Sequence, residues 1–127
     1  MAEEKKTIFL VEDELLLLNL LKQRLERAGF EVVTAKDGEE ALNVLKSISP
    51  DLILLDIILP KVSGFEFMEQ VRSDPAYKKT PILILSNLGQ DNDIKKGETL
   101  GASGYLIKAR LSIEEVVKKV KEFMAKV

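Results

Sequence analysis

Three stretches of this chain are apolar without interruption: IFLV at residues 8–11, LILL at 52–55 and ILIL at 82–85. A strand with one face in water alternates apolar and polar side chains, so an unbroken run means that both faces are covered. Parallel strands lying between two layers of helices meet that condition. Strand-like runs span Thr7–Val11, Glu31–Ala35, Asp51–Leu55, Pro81–Leu85 and Ser103–Ile107, and helical patterns fill the intervals. This alternation predicts an α/β fold: a doubly wound, five-stranded parallel sheet with helices on both faces.

Local signals mark the helices. Asp37 with Glu40, and Ser112 with Glu115, have the spacing of capping boxes, while Gly29 after Ala28 closes the first helix. In the last helix Ile113, Val116, Val117, Val120, Phe123, Met124 and Val127 recur at three- and four-residue spacing, opposite Glu114, Lys118, Lys121 and Glu122. That pattern predicts one face packed on the sheet. The fourth helix, DIKKGETLG, has few apolar anchors and an interior glycine, Gly97, which costs ~1 kcal/mol relative to alanine. This region is expected to move. With no repeat or long linker, the 127 residues read as one domain, 1–127.

Composition excludes much chemistry. The chain has no cysteine and no histidine, so thiolate nucleophiles, imidazole bases, disulfides and the usual zinc and copper ligand sets are absent. Any metal must be held by oxygen, which points to magnesium, calcium or manganese. Covalent chemistry is left to carboxylate, hydroxyl or lysine. A net charge of -2, from 19 basic and 21 acidic residues, gives no polyanion-binding face, and nucleic acid is not expected as a direct partner. The opening MAEEKKT lacks the apolar core of a signal peptide, and no run approaches the ~18 residues of a membrane span. The expectation is a cytoplasmic protein without a membrane partner.

In open α/β sheets ligands bind beyond the carboxyl ends of the strands, near the point where strand order reverses. The first strand ends in Glu12 and Asp13, the third in Asp56, the fourth in Ser86 and the fifth in Lys108. Taken singly, these have ordinary meanings: a loop aspartate, an acidic first turn, a turn serine, a solvated lysine. If the first strand is central and the third lies beside it, they converge on one edge. Carboxylates brought together repel one another unless a cation sits among them, and magnesium, which keeps open positions for phosphate oxygens, suits such a site. Lys108 can neutralise phosphate charge and Ser86 can donate a hydrogen bond, so the set has the parts of phosphoryl transfer, with Asp56 the plausible nucleophile.

The motifs VEDE, LLDIILPKVSG, ILILSN and GYLIKA place the chain in resemblance to the receiver domains of two-component response regulators, over essentially its whole length. The resemblance implies a flavodoxin-like strand order, 2-1-3-4-5, and a phosphorylation switch rather than a turnover enzyme. It implies Asp56 as phosphoacceptor, with Glu12, Asp13, Asp56 and the main-chain carbonyl of Ile58 holding magnesium. Ser86 and Lys108 match the phosphate-contacting hydroxyl and lysine, and Tyr105 the aromatic whose rotamer couples to that hydroxyl. Pro60 and Gly64 match the turn after the third strand. The donor implied is a phosphohistidine on a sensor histidine kinase or a histidine phosphotransfer protein. The output implied is a downstream protein or a receiver dimer, met through the fourth helix, fifth strand and fifth helix. Two positions depart from the family: Ala109 follows Lys108 where proline is common, and Asn87 stands where small residues are frequent. Ile58 and Asn87 are expected to flank the approach of water and to modulate the lifetime of the phosphorylated form.

Other classes fit less well. A receiver-like interaction module without phosphorylation would not require every site position to be filled. An aspartate-nucleophile phosphatase has a second Asp two residues after the first, where this chain has Ile58. A flavin domain needs a phosphate-friendly loop after the first strand, and Glu12, Asp13 and Glu14 would repel an uncomplexed phosphate.

Overall fold

A computed structural model of the chain describes residues 5–126. In chain order the elements are β1 (Thr7–Val11), α1 (Leu15–Arg27), β2 (Glu31–Ala35), α2 (Gly38–Leu45), β3 (Leu52–Leu55), α3 (Gly64–Ser73), β4 (Ile82–Ser86), α4 (Asp91–Thr99), β5 (Gly104–Ile107) and α5 (Ile113–Met124), with a 3-10 turn over Lys108–Arg110 before α5. The sheet is parallel throughout, in the order β2-β1-β3-β4-β5. β1 is therefore flanked by β2 and β3, and strand order reverses across the β1–β3 edge.

The unbroken apolar runs divide residue by residue between two cores. Phe9, Val11, Ile53, Leu55, Ile82 and Ile84 face α2 and α3, where they meet Ala41, Leu45, Phe67, Met68 and Val71. Ile8, Leu10, Leu52, Leu54, Leu83 and Leu85 face α1 and α5, packing on Leu18, Leu21, Leu25, Val116, Val120 and Met124. Successive strand residues point to opposite faces, and both faces are covered.

The caps are partly as expected. Ser112 and Glu115 form the reciprocal capping box of α5. Asp37 caps α2 by accepting from the Glu40 amide, but Glu40 returns its bond to the amide of Lys36, one residue earlier. Ser63 caps α3 in the same way as Asp37 caps α2, with Glu66 at the third position. Gly29 follows the end of α1 with φ of 100°, the left-handed geometry that favours glycine. β3 starts at Leu52 rather than Asp51, whose side chain instead accepts from the Thr7 amide; β4 and β5 also start one residue late, β4 ending at Ser86. Val127 lies outside the described residues.

Gly97 in α4 has a packing reason. A Cβ there would stand 2.8 Å from Ile84 Cδ1 and 3.3 Å from Tyr105 Cδ2, so the missing side chain lets α4 approach β4 and β5. No helix among the described residues is long and apolar enough to cross a membrane.

Candidate functional site

The first acidic residues are held by the sheet itself. The Glu12 amide donates to the carbonyl of Ala35 at 3.0 Å, and the Asp56 amide donates to the carbonyl of Val11 at 3.0 Å. Both carboxylates are thus set one step beyond the carboxyl ends of β1 and β3. Glu12 is 1% exposed and Asp56 4%, whereas Asp13 faces solvent. Carboxylate oxygens of Glu12, Asp13 and Asp56 lie within 4.8 Å of one another.

Lys108 enters this cluster from the end of β5. Its ammonium lies 2.6 Å from Asp56 Oδ2, 2.7 Å from Glu12 Oε1 and 3.3 Å from Glu14 Oε1. The side chain is largely buried, so the solvated surface lysine is not what the fold makes of it. Two hydrogen bonds brace the carboxylates further: Ile58 donates its amide to Asp56 Oδ1 at 3.1 Å, and Glu14 its amide to Glu12 Oε2 at 3.0 Å. The contact between Glu14 and Lys108 is one feature that sequence reasoning missed; the third acid of VEDE was its only signal.

Burial pushes the Glu12 carboxyl above its ordinary value, against the lowering effect of its bonds to Lys108 and to the Glu14 amide, with the Asp56 charge adding to the rise. For Lys108, burial works to lower the pKa, but the hydrogen bonds and charges of Asp56 and Glu12 outweigh it and hold the ammonium above its usual value. Lys108 is therefore charged across the neutral range. One ammonium among four carboxylates (Glu12, Asp13, Glu14, Asp56) leaves the site negative, and its hard oxygen donors suit a hard divalent cation.

The other candidate residues lie on or just beyond β3, β4 and β5. Ser86 ends β4, next to β3, and is 0% exposed; its Oγ accepts from the Leu88 amide at 3.3 Å, which leaves the hydroxyl proton available. The Tyr105 hydroxyl, on β5, donates to the carbonyl of the same Leu88. Burial, with the charges of Asp93 and Asp56, pushes that phenol up to about 12. Leu88 thus bridges Ser86 and Tyr105 through its own main chain, a link no side-chain pattern announces. Asn87 accepts the Ala109 amide on its Oδ1 at 2.8 Å. Ile58 is 56% exposed, and with Leu15 and Leu16 it is one of the large apolar side chains left in solvent. The peptide bond between Lys108 and Ala109 is trans.

The family described as response regulator receiver domain matches residues 8–121. The alkaline phosphatase synthesis transcriptional regulatory protein PhoP of Bacillus subtilis is 41% identical over 94% of this chain and 48% of its own length. The DNA-binding dual master transcriptional regulator RpaA of Synechocystis is 35% identical over 92% of this chain and 48% of its own. The phosphorylated cyanobacterial phytochrome response regulator RcpA superposes with a TM-score of 0.87 at 34% identity, covering 96% of this chain and 95% of that one. The chain spans about half the length of the curated relatives it matches. These names overturn the expectation that nucleic acid is not a partner: one relative is named as DNA-binding and others as transcriptional regulators. The physical reason is that a net charge of -2 sums over 127 residues alone, and says nothing of the surface of relatives about twice as long.

Proposed function

Because the chain belongs to the response regulator receiver domain family, we propose that it is a phosphorylation-activated switch in which Asp56 accepts a phosphoryl group from a partner's phosphohistidine. The observation that carries this reading is the Lys108 ammonium, 2.6 Å from a buried Asp56 carboxylate at the point of strand-order reversal. A carboxylate oxygen of Asp56 attacks phosphorus; the O–P bond forms as the donor's N–P bond breaks, and its electron pair goes to the imidazole nitrogen. Lys108, already at the nucleophile, neutralises the phosphoryl oxygens, and the Ser86 hydroxyl donates to one of them. Glu12, Asp13, Asp56 and the main-chain carbonyl of Ile58 would hold magnesium, with manganese or calcium as substitutes, and bound there it supplies further positive charge to the phosphoryl group.

The output follows from the Leu88 bridge. Drawing the Ser86 hydroxyl toward phosphate alters its bond to the Leu88 amide, and the Leu88 carbonyl is where Tyr105 rests. The surface of α4, β5 and α5 changes with it. Ile58 and Asn87 flank the in-line approach of water, which slows decay of the phosphorylated form. The protein acts on itself and turns over no external substrate.

Intact-mass measurement with acetyl phosphate and magnesium tests the nucleophile. The parent gains one phosphoryl group and Asp56→Asn gains none. An unmodified parent, or equal uptake by the variant, would remove the assignment.

A further inference from the structure

Asn87 and Ala109 stand immediately after Ser86 and Lys108, where the chain leaves the site on two adjacent strands. The β4–β5 ladder ends with the pair Ser86 and Ile107. Beyond it the strands are joined by a side chain, Asn87 Oδ1 accepting the Ala109 amide at 2.8 Å. Ala109 lies inside the 3-10 turn Lys108–Arg110, whose preceding residue, Ile107, makes no side-chain cap. The first amides of a helical turn have no acceptor within it, and a polar side chain at the N-cap normally supplies one. Here the acceptor comes from the residue that follows the neighbouring strand β4. A main-chain N–H only donates, so the atom facing it is the amide oxygen.

We infer that Asn87 is a positioning residue for phosphoryl transfer: by holding the Ala109 amide it fixes the turn that carries Lys108 against the end of β4, and so sets the reach of the ammonium to Asp56. This rests on the reading of Asp56 as phosphoacceptor and Lys108 as its cation. The tip of Lys108 is held by the carboxylates of Glu12, Glu14 and Asp56, contacts that a phosphoryl group on Asp56 must share. Once the tip shifts, the root of a flexible four-carbon stem decides where the charge goes. The turn's own bond, from the Leu111 amide to the Lys108 carbonyl at 3.2 Å, closes it but does not tie it to the sheet. The Asn87–Ala109 bond is exposed, so water can replace its energy. Water cannot replace the tie between two loops. The effect therefore falls on placement and not on stability.

Two variants of the full chain separate the acceptor from the bulk. Asn87→Leu keeps the size and removes the acceptor; Asn87→Gln keeps a neutral amide acceptor on an exposed position. Uptake on Asp56 is followed by intact mass at saturating acetyl phosphate and magnesium, with melting temperature and its magnesium dependence measured alongside. Asn87→Leu should slow uptake by about tenfold, the scale of a modest misplacement of a reacting group, while Asn87→Gln stays within about threefold of the parent. Melting temperature and magnesium dependence should match the parent in both. Parent-like uptake by Asn87→Leu overturns the inference and leaves the site reading standing, as does a Gln variant as slow as the Leu variant or a Leu variant that melts well below the parent. A parent that takes up no phosphoryl group overturns both.

Discussion

At the scale of single residues, the site is an argument between burial and charge that Glu12 loses and Lys108 wins. Burial raises the Glu12 pKa above 4.5, so the folded protein holds that proton more tightly than the unfolded chain does. Ionised Glu12 therefore costs stability at neutral pH, and the cost fades as pH falls through the raised value. Lys108 has the opposite balance: its folded pKa lies above 10.5, so its contribution is complete below that value and does not vary through the acid range. Glu12→Gln should then melt above the parent in chelator at about pH 7.5, with the gap closing toward about pH 4.5. A gap that widens on acidification would show that the Lys108 contact, not burial, governs Glu12.

At the scale of elements, two glycines set how closely the layers approach. A Cβ on Gly38, the first residue of α2, would lie 1.9 Å from the carbonyl oxygen of Val62, in the loop that leaves Asp56 for α3. Backbone cannot yield as a side-chain tip can, and the Gly38 amide also donates to the Pro60 carbonyl at 3.3 Å. Gly38→Ala should cost about 2 kcal/mol or more and displace that loop. Gly97→Ala sets opposing effects against each other: about 1 kcal/mol gained in helix propensity, against overpacking on Ile84 and Tyr105 worth about 1–3 kcal/mol. Ile84 is fully buried and has little room to move, so the overpacking should win by about 1 kcal/mol. Denaturant unfolding measures both; a stabilised Gly97→Ala would mean that α4 is free to lift from the sheet.

At the scale of the whole molecule, a cation that binds only the folded chain stabilises it by mass action, about 2.7 kcal/mol at a hundredfold excess over its dissociation constant. Millimolar magnesium should raise the parent's melting temperature and leave that of Asp13→Asn nearly unmoved; an equal shift in both would place the ion elsewhere. Phosphorylation should change amide exchange most between Asn87 and Leu106, the span that holds Leu88, α4 and Tyr105. A change confined to residues 37–48 would move the output to another face. The sequence by itself determined the α/β layering, because unbroken runs such as LILL tolerate water on neither face, and it placed Glu12, Asp13, Asp56, Ser86 and Lys108 at strand ends because each apolar run stops there. These are local facts, written in consecutive residues. What only the tertiary structure decided are contacts between residues far apart in the chain: Lys108 against Glu14, the Tyr105 hydroxyl on the Leu88 carbonyl, the Ala109 amide on the Asn87 side chain, Gly97 against Ile84. Main-chain groups carry two of them, the Leu88 carbonyl and the Ala109 amide, and every residue other than proline has the same amide and carbonyl, so no side-chain pattern could mark those two.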